Sequence, residues 1–216
     1  MLIVFDLDDT LIETSKCLTP HYLKMAFEAT QRAGFDGKFE TLVQINAKAL
    51  SSRLALKEFI GNHSNATQIF NSALEAMKTP IPEEICLDIV PGALEVLDHL
   101  QETHDLALVT AGDLHLQLQK MKKAGIQPER FSKLVVGTRP TKKFDYQMVL
   151  EELAIDPSQG IVCGDRVSVD LTPAKEIGLF TVHFRNGRGR IHDAPKESVD
   201  LTIHQLNELC EVFVEQ

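Results

Sequence analysis

Several features that would assign the chain to a specialised class are scarce in its sequence. Its 216 residues include only four cysteines, with no C-x-x-C pair and no dense framework. A disulfide-stabilised secreted domain is therefore excluded, and a reducing compartment is indicated. No apolar run approaches the ~20 residues of a membrane-spanning helix, and the opening run meets acidic residues too early for a signal peptide. We expect a cytoplasmic protein that does not associate with membranes.

Basic residues are also in short supply. The chain has 22 lysines and arginines against 31 aspartates and glutamates, which gives a formal net charge of -9. No basic stripe is present, so a nucleic-acid partner is not expected. The one basic cluster, Arg185–Arg190, is interleaved with glycine. This composition indicates a surface loop and leaves a role in holding anions open.

What the chain does have is an apolar segment that runs directly into acidic residues. Met1–Phe5 has the composition of a strand buried in a parallel sheet. Asp6 and Asp8 come where that strand ends. In open α/β sheets, ligands bind beyond the carboxyl ends of the strands. A polar turn would explain such a pair if it stood alone, so its meaning depends on the residues at the ends of the other strands.

Polar residues recur at the ends of later predicted elements. In chain order they are Thr110 and Ala111 after the strand 106–109, Lys142 and Lys143 at the start of a helix, and Asp165 and Asp170 after the strand 161–163. Asp113, which comes soon after Thr110, either caps the next helix or disfavours strongly anionic substrates, and we favour the cap. Cys163 lies beside this set and is expected to be a small core residue.

This order of elements is D-x-D-x-T, a threonine closing a strand, a lysine opening a helix, and G-D-x-x-x-x-D. It closely resembles the four signature motifs of the haloacid dehalogenase (HAD) superfamily of phosphohydrolases, from Met1 to about Leu209. Each motif alone is a weak signal, whereas four in order with matching predicted strands are a strong one. Asp9 departs from the glycine often found there in the family and leaves the catalytic pair intact.

Alternating strands and helices predict the fold class: α/β, a Rossmann-like, doubly wound and mainly parallel sheet with helices on both faces. Residues 1–16 and 89–216 would form this core, in which one helix is predicted over 169–177. Residues 17–88 contain no convincing strand and predict helices, including one over 39–61 and one capped by Asn65. The resemblance implies that this insert is a C1-type helical cap subdomain, which closes over the site and sets substrate selectivity.

The resemblance also implies a role for each motif residue. Asp6 would be the nucleophile that forms an aspartyl-phosphate, and Asp8 the general acid and base. The phosphate ligands would be Thr110, the amide of Ala111 and one of Lys142 and Lys143. The Mg²⁺ ligands would be Asp6, Asp8 through its backbone carbonyl, and Asp165. Thr10 and Asp170 would support the site. Asp8 must be protonated when the substrate arrives, and crowding by the other carboxylates is expected to favour that state.

We therefore expect a Mg²⁺-dependent phosphatase, monomeric or homodimeric, that acts on a small phosphorylated metabolite. A phosphosugar mutase shares all four motifs, and a phosphonate hydrolase would need a lysine in the cap, so both alternatives stay open. A receiver-like phospho-accepting module would lack the helical insert. A catalytically dead binding module would have no need of every motif residue.

Overall fold

The computed structural model describes residues 1–139, 141–191 and 195–212. The chain forms two compact units. One unit combines Met1–Thr14 with Cys86–Gln216, and the other is Ser15–Ile85. Among the described residues, no helix combines the length and apolar character that a membrane crossing requires.

The strands all belong to the first unit. They are β1 Leu2–Phe5, β2 Asp105–Ala111, β3 Lys133–Gly137, β4 Gly160–Gly164, β5 Phe180–Phe184 and β6 Leu201–Ile203. They form one six-stranded sheet in the order β3-β2-β1-β4-β5-β6, and every neighbouring pair is parallel. All four residues of β1 are buried, as expected for a central strand covered on both faces. The predicted α/β class with a Rossmann-like, doubly wound parallel sheet is confirmed.

The α-helices are distributed over both units. In chain order they are α1 Thr14–Cys17, α2 Thr19–Arg32, α3 Phe39–Lys48, α4 Ser52–Ile60, α5 Ala66–Ala76, α6 Ala93–Leu100, α7 Leu114–Ala124, α8 Lys143–Leu153, α9 Thr172–Lys175 and α10 Glu208–Glu211. The sequence predicts one helix over 169–177, but the chain there forms a π-helical turn, Val167–Leu171, before α9. Because a π-helical turn is wider than an α-helical one, the side chains of Val167–Leu171 do not have the spacing of the predicted α-helix.

The core of the first unit joins the sheet to the helices that cover it. Val4, Val109 and Val162 from the three central strands belong to one buried cluster with Tyr146 of α8 and Leu171. Burial of apolar side chains on both faces of a parallel sheet leaves its two edges as the places for polar groups. The core therefore fixes the positions of the strands, and the carboxyl ends of these strands are free to carry the polar residues of a site.

The second unit has a helical core of its own. Leu23 of α2, Leu56 of α4 and Ile69 of α5 lie in one buried cluster. The predicted single helix over 39–61 is wrong, because Ala49 is extended and the Ser51 hydroxyl accepts a hydrogen bond from the amide of Leu54 at 3.2 Å. A serine in that position begins a new helix.

Helix α7 has well-defined ends. Its first turn is capped by Asp113, whose Oδ1 accepts a hydrogen bond from the amide of Leu116 at 3.0 Å. Gly125 ends the helix in the left-handed conformation with φ of 76°, which glycine adopts without a steric penalty. The predicted cap role of Asp113 is confirmed.

We expect Asp113→Ala to lower the free energy of unfolding by about 1 kcal/mol, because an amide of the first helical turn loses its acceptor. Asp113→Asn keeps an acceptor oxygen and should stay close to wild type. Chemical denaturation of the three proteins measures the difference. Equal stability of the alanine and asparagine variants would contradict the cap.

Candidate active site

Three carboxylates meet beyond the carboxyl ends of β1 and β4. Asp6 directly follows β1, Asp165 directly follows β4, and Asp170 lies in the π-helical turn. Because β1 and β4 pair in parallel, the residues that come directly after them lie side by side. The three side chains are buried, and each offers an oxygen within 4.8 Å of those of the other two. The structure therefore brings together three of the four aspartates to which the sequence analysis gives a role in the site.

Two backbone features fix Asp170 in this acid cluster of Asp6, Asp165 and Asp170. A Cβ added to Gly164 would lie 2.7 Å from the Cβ of Asp170, so glycine is needed for this close approach. The amide of Arg166 donates a hydrogen bond to Asp170 Oδ2 at 2.9 Å. The glycine of the last motif thus makes room for Asp170, and the spacing of the motif lets the Asp170 carboxylate reach the amide of Arg166.

Of the two candidate lysines, only Lys142 enters the acid cluster. Its Nζ lies 2.5 Å from Asp6 Oδ1 and 2.6 Å from Asp170 Oδ1, and its side chain is buried. Lys143 instead forms an ion pair with Glu176 at 2.9 Å on the surface. Successive helical residues point about 100° apart, so the two neighbours at the start of α8 cannot face the same way. Of the pair that the sequence left open, the structure thus brings Lys142 to the acid cluster and leaves Lys143 at the surface.

The acid cluster has more negative charge than its lysine can offset. Burial raises the pKa of Asp6 to about 6, with Lys142 opposing the shift and Asp170 adding to it. Burial and the neighbouring Asp170 raise the pKa of Asp165 well above its usual value. Burial alone would lower the pKa of Lys142, but Asp170 and Asp6 outweigh that effect and raise it. The lysine is therefore held as an ammonium among acids that repel one another.

The oxygens of this cluster suit a hard divalent cation. Both carboxylate oxygens of Asp165 are buried, with no hydrogen-bond partner among the described residues. Buried carboxylate oxygens without partners are costly unless a cation compensates them. Mg²⁺ prefers oxygen ligands and binds through one or two carboxylates together with substrate phosphate. The residues present therefore fit the metal that the family resemblance implies.

Asp8 has a separate set of partners. Lys120 Nζ, on α7, lies 2.7 Å from Asp8 Oδ1 and 2.8 Å from Oδ2. The Thr14 hydroxyl donates to Oδ1 at 2.6 Å. Burial alone would raise the pKa of Asp8, but Lys120 and Thr14 lower it below its usual value. The expectation that crowding by other carboxylates favours a protonated Asp8 is therefore wrong, because the contacts of Asp8 with Lys120 and Thr14 outweigh the effect of its burial.

Thr110 and Ala111 lie at the same edge of the sheet, at the end of β2 beside β1. Gln117 Nε2 donates to the carbonyl of Ala111 at 2.8 Å and to Thr110 Oγ1 at 3.2 Å. Since the threonine oxygen accepts this bond, its hydroxyl proton is available for a ligand. Gly112 has φ of 142°, and a Cβ there would lie 3.1 Å from Gln117 Nε2. Glycine thus permits the glutamine to approach.

The loop after Asp8 is tightly folded. Asp9 has φ of 61°, a left-handed conformation that aspartate adopts more readily than most residues other than glycine. Asn186 Nδ2 donates to the carbonyl of Asp9 at 3.0 Å. Thr10 is buried, and its hydroxyl has no hydrogen-bond partner within the part of the chain that the structure describes. The structure thus places Thr10 as a turn residue, and its supporting role stays a prediction.

Sequence reasoning missed three polar residues around the site. Gln117 and Lys120 reach it from α7, and Arg166 Nε lies 3.7 Å from Asp165 Oδ1. A signal for the first two was their spacing of three residues, which puts them on one helical face just after the threonine motif.

Cys163 is buried, and burial raises the pKa of its thiol, in keeping with a core residue. In the basic loop, Arg190 Nη2 donates to Asn186 Oδ1 at 2.9 Å.

Comparison with known proteins agrees with this architecture. The glyceraldehyde 3-phosphate phosphatase of Pyrococcus furiosus is 28% identical over 232 residues, which cover 98% of this chain and 92% of that protein. A solved structure described as a predicted phosphoglycolate phosphatase from Haemophilus somnus superposes with a TM-score of 0.73 at 19% identity and covers 98% of this chain and 96% of that chain.

A second solved structure is the magnesium-bound HAD-hydrolase YfnB from Bacillus subtilis. It has a TM-score of 0.67 at 18% identity, covering 99% of this chain and 98% of that chain. At these identities the two structures show a shared fold. The sequence profile of the haloacid dehalogenase-like hydrolases matches residues 3–184. Because this match spans most of the sheet and every motif of the site, the chain belongs to the haloacid dehalogenase-like hydrolase family.

Proposed function

We propose that this phosphohydrolase is a Mg²⁺-dependent phosphatase that acts on a small phosphorylated metabolite through an aspartyl-phosphate on Asp6. The observation that carries the proposal is the buried cluster of Asp6, Asp165 and Asp170 around Lys142, with Asp6 Oδ1 and Asp170 Oδ1 both contacting its ammonium. The glyceraldehyde 3-phosphate phosphatase relative supports a small sugar phosphate as the substrate class.

In the first step, Asp6 attacks phosphorus and the bond to the leaving oxygen breaks. Lys142 pairs with Oδ1 of Asp6, while Oδ2 has no hydrogen-bond partner among the described residues, so one oxygen is oriented and the other is left for attack. The Thr110 hydroxyl and the amide of Ala111 hold the phosphoryl oxygens, and Lys142 stabilises the charge that develops on them.

Asp8 moves the protons in both steps. It gives a proton to the leaving oxygen as the first bond breaks, and it takes one from the water that then attacks the phosphorylated Asp6. The lowered pKa of Asp8 beside Lys120 favours the carboxylate that the second step needs. Asp8 must therefore take up a proton before the first step.

Asp6, Asp165 and the backbone carbonyl of Asp8 would hold Mg²⁺, with Asp170 supporting them, and the bound ion would neutralise charge on the phosphoryl oxygens. The magnesium-bound YfnB structure, which shares this fold, and the oxygens of Asp165, which have no hydrogen-bond partner among the described residues, both support this assignment.

We further propose that the second unit, Ser15–Ile85, is a C1-type cap that selects the substrate. Its separate helical core supports this role. An insert with its own core can vary its surface without disturbing the sheet that carries the acids.

Replacing Asp6 by asparagine should lower kcat at least about a thousandfold, because an amide of nearly the same shape is a poor nucleophile. Phosphate release from p-nitrophenyl phosphate with Mg²⁺ measures the loss. Asp105→Asn is a matched control, because Asp105 is exposed at the amino end of β2, the opposite edge of the sheet. Near wild-type turnover by Asp6→Asn would exclude covalent catalysis through Asp6.

Mg²⁺ should raise the thermal unfolding temperature of the wild type. An ion that binds only the folded state adds about 2.7 kcal/mol at a hundredfold excess over its dissociation constant. The shift should be larger at pH 8 than at pH 5, because the pKa of Asp6, raised to about 6, lets protons compete with the metal at the lower pH.

Asp165→Asn should largely abolish this shift, while its metal-free form is at least as stable as the metal-free wild type, since one repelling charge is gone. Thermal scans with and without millimolar Mg²⁺ compare the two proteins. A wild type indifferent to Mg²⁺, or a shift that persists in the variant, would place the metal elsewhere.

A further inference from the structure

Lys120 is a buried lysine that none of the family motifs includes. Its whole residue is 9% exposed, whereas lysines are almost never buried unless they are paired. Its ammonium contacts both oxygens of Asp8, at 2.7 and 2.8 Å. Desolvation of an ammonium is costly unless its partner is held in good geometry, so this contact is a specific feature of the site.

The helix that carries Lys120 also contacts the phosphate-binding end of β2. Gln117, one turn earlier on α7, bonds Thr110 and Ala111, and its Nε2 lies 3.4 Å from Asp8 Oδ2. One helical face therefore touches both the residue proposed to hold the phosphoryl group and the residue proposed to move the proton. The position of α7 sets the position of both.

Two lysines contact three of the four acids of the site. Lys142 contacts Asp6 and Asp170, and Lys120 contacts Asp8. Without Lys120, Asp8 would keep the Thr14 hydroxyl at 2.6 Å on Oδ1 and the weaker contact of Gln117 at 3.4 Å on Oδ2. The carboxylate would then lose the partner that engages both of its oxygens.

We propose that Lys120 is a positioning residue for the second half of the reaction, where it holds the Asp8 carboxylate in the orientation from which Asp8 takes a proton from the attacking water. In that step the water oxygen bonds to phosphorus, the bond from phosphorus to Asp6 breaks, and the proton passes to Asp8 and then to solvent. The products are inorganic phosphate and the Asp6 carboxylate. This inference rests on the proposed phosphatase function.

The test uses p-nitrophenyl phosphate, whose leaving group needs no proton, so formation of the phosphoenzyme does not depend on Asp8. For Lys120→Met, we expect kcat to fall about tenfold to a hundredfold, while kcat/KM, which reports only the steps up to departure of p-nitrophenolate, stays near wild type. KM should fall in proportion. Rapid mixing should show a burst of p-nitrophenolate, and the phosphoenzyme should accumulate in acid-quenched samples.

Three further variants sharpen the test. Lys122→Met removes an exposed lysine from the same helix and should leave kcat unchanged. Lys120→Arg keeps a cationic donor and should recover part of kcat. Lys120→Gln keeps a polar donor on a slightly shorter, uncharged side chain, so it provides a folded comparison if the methionine variant is unstable in thermal scans.

A purely structural role for Lys120 would lower kcat and kcat/KM together without a burst, and that result would overturn the inference. Unchanged kcat in Lys120→Met and Lys120→Gln would overturn it as well. A wild type that does not hydrolyse p-nitrophenyl phosphate, or an active Asp6→Asn variant, would instead overturn the proposed function. The two failures are therefore distinguishable.

Discussion

The site depends on one constraint, which is that several carboxylates are buried close to one another. Asp6, Asp165 and Asp170 lie together at the carboxyl edge of the sheet, and Lys142 is the cation that contacts two of them. The ion pairs offset part of the cost of burying these groups, and the rest is expressed in the raised pKa values of Asp6 and Asp165. A divalent cation is what such a cluster favours.

The two aspartates of the first motif show how environment separates chemically identical groups. Asp6 is surrounded by acids and has a pKa raised to about 6, whereas Asp8 pairs with Lys120 and has a lowered pKa. Their positions differ by two residues, but their neighbours come from different elements. Environments that shift the pKa values of two carboxyl groups in opposite directions allow the groups to take different roles at one pH.

Much of the fold could be predicted because its signals are local. Apolar strands that end in polar residues, such as Met1–Phe5 before Asp6, indicate a parallel sheet with polar groups at one edge. Predictions of helices failed where the backbone conformation changed within a segment that was predicted to be one regular helix. Ser51 begins a new helix inside the predicted segment 39–61, and Val167–Leu171 forms a π-helical turn where a regular helix was expected.

The sequence by itself determined the sheet class, the order of the motifs and the identity of the acids, because each depends on short segments read along the chain. Only the tertiary structure decided which side chains face the site. On α7, Leu114 and Leu118 are exposed while Gln117 and Lys120 are buried, the reverse of what hydrophobicity alone favours. The contacts responsible join residues far apart in the chain: Lys120 and Asp8 are separated by 112 positions, and Lys142 and Asp6 by 136. No local pattern encodes such pairs, since they arise only when the sheet brings its strand ends together.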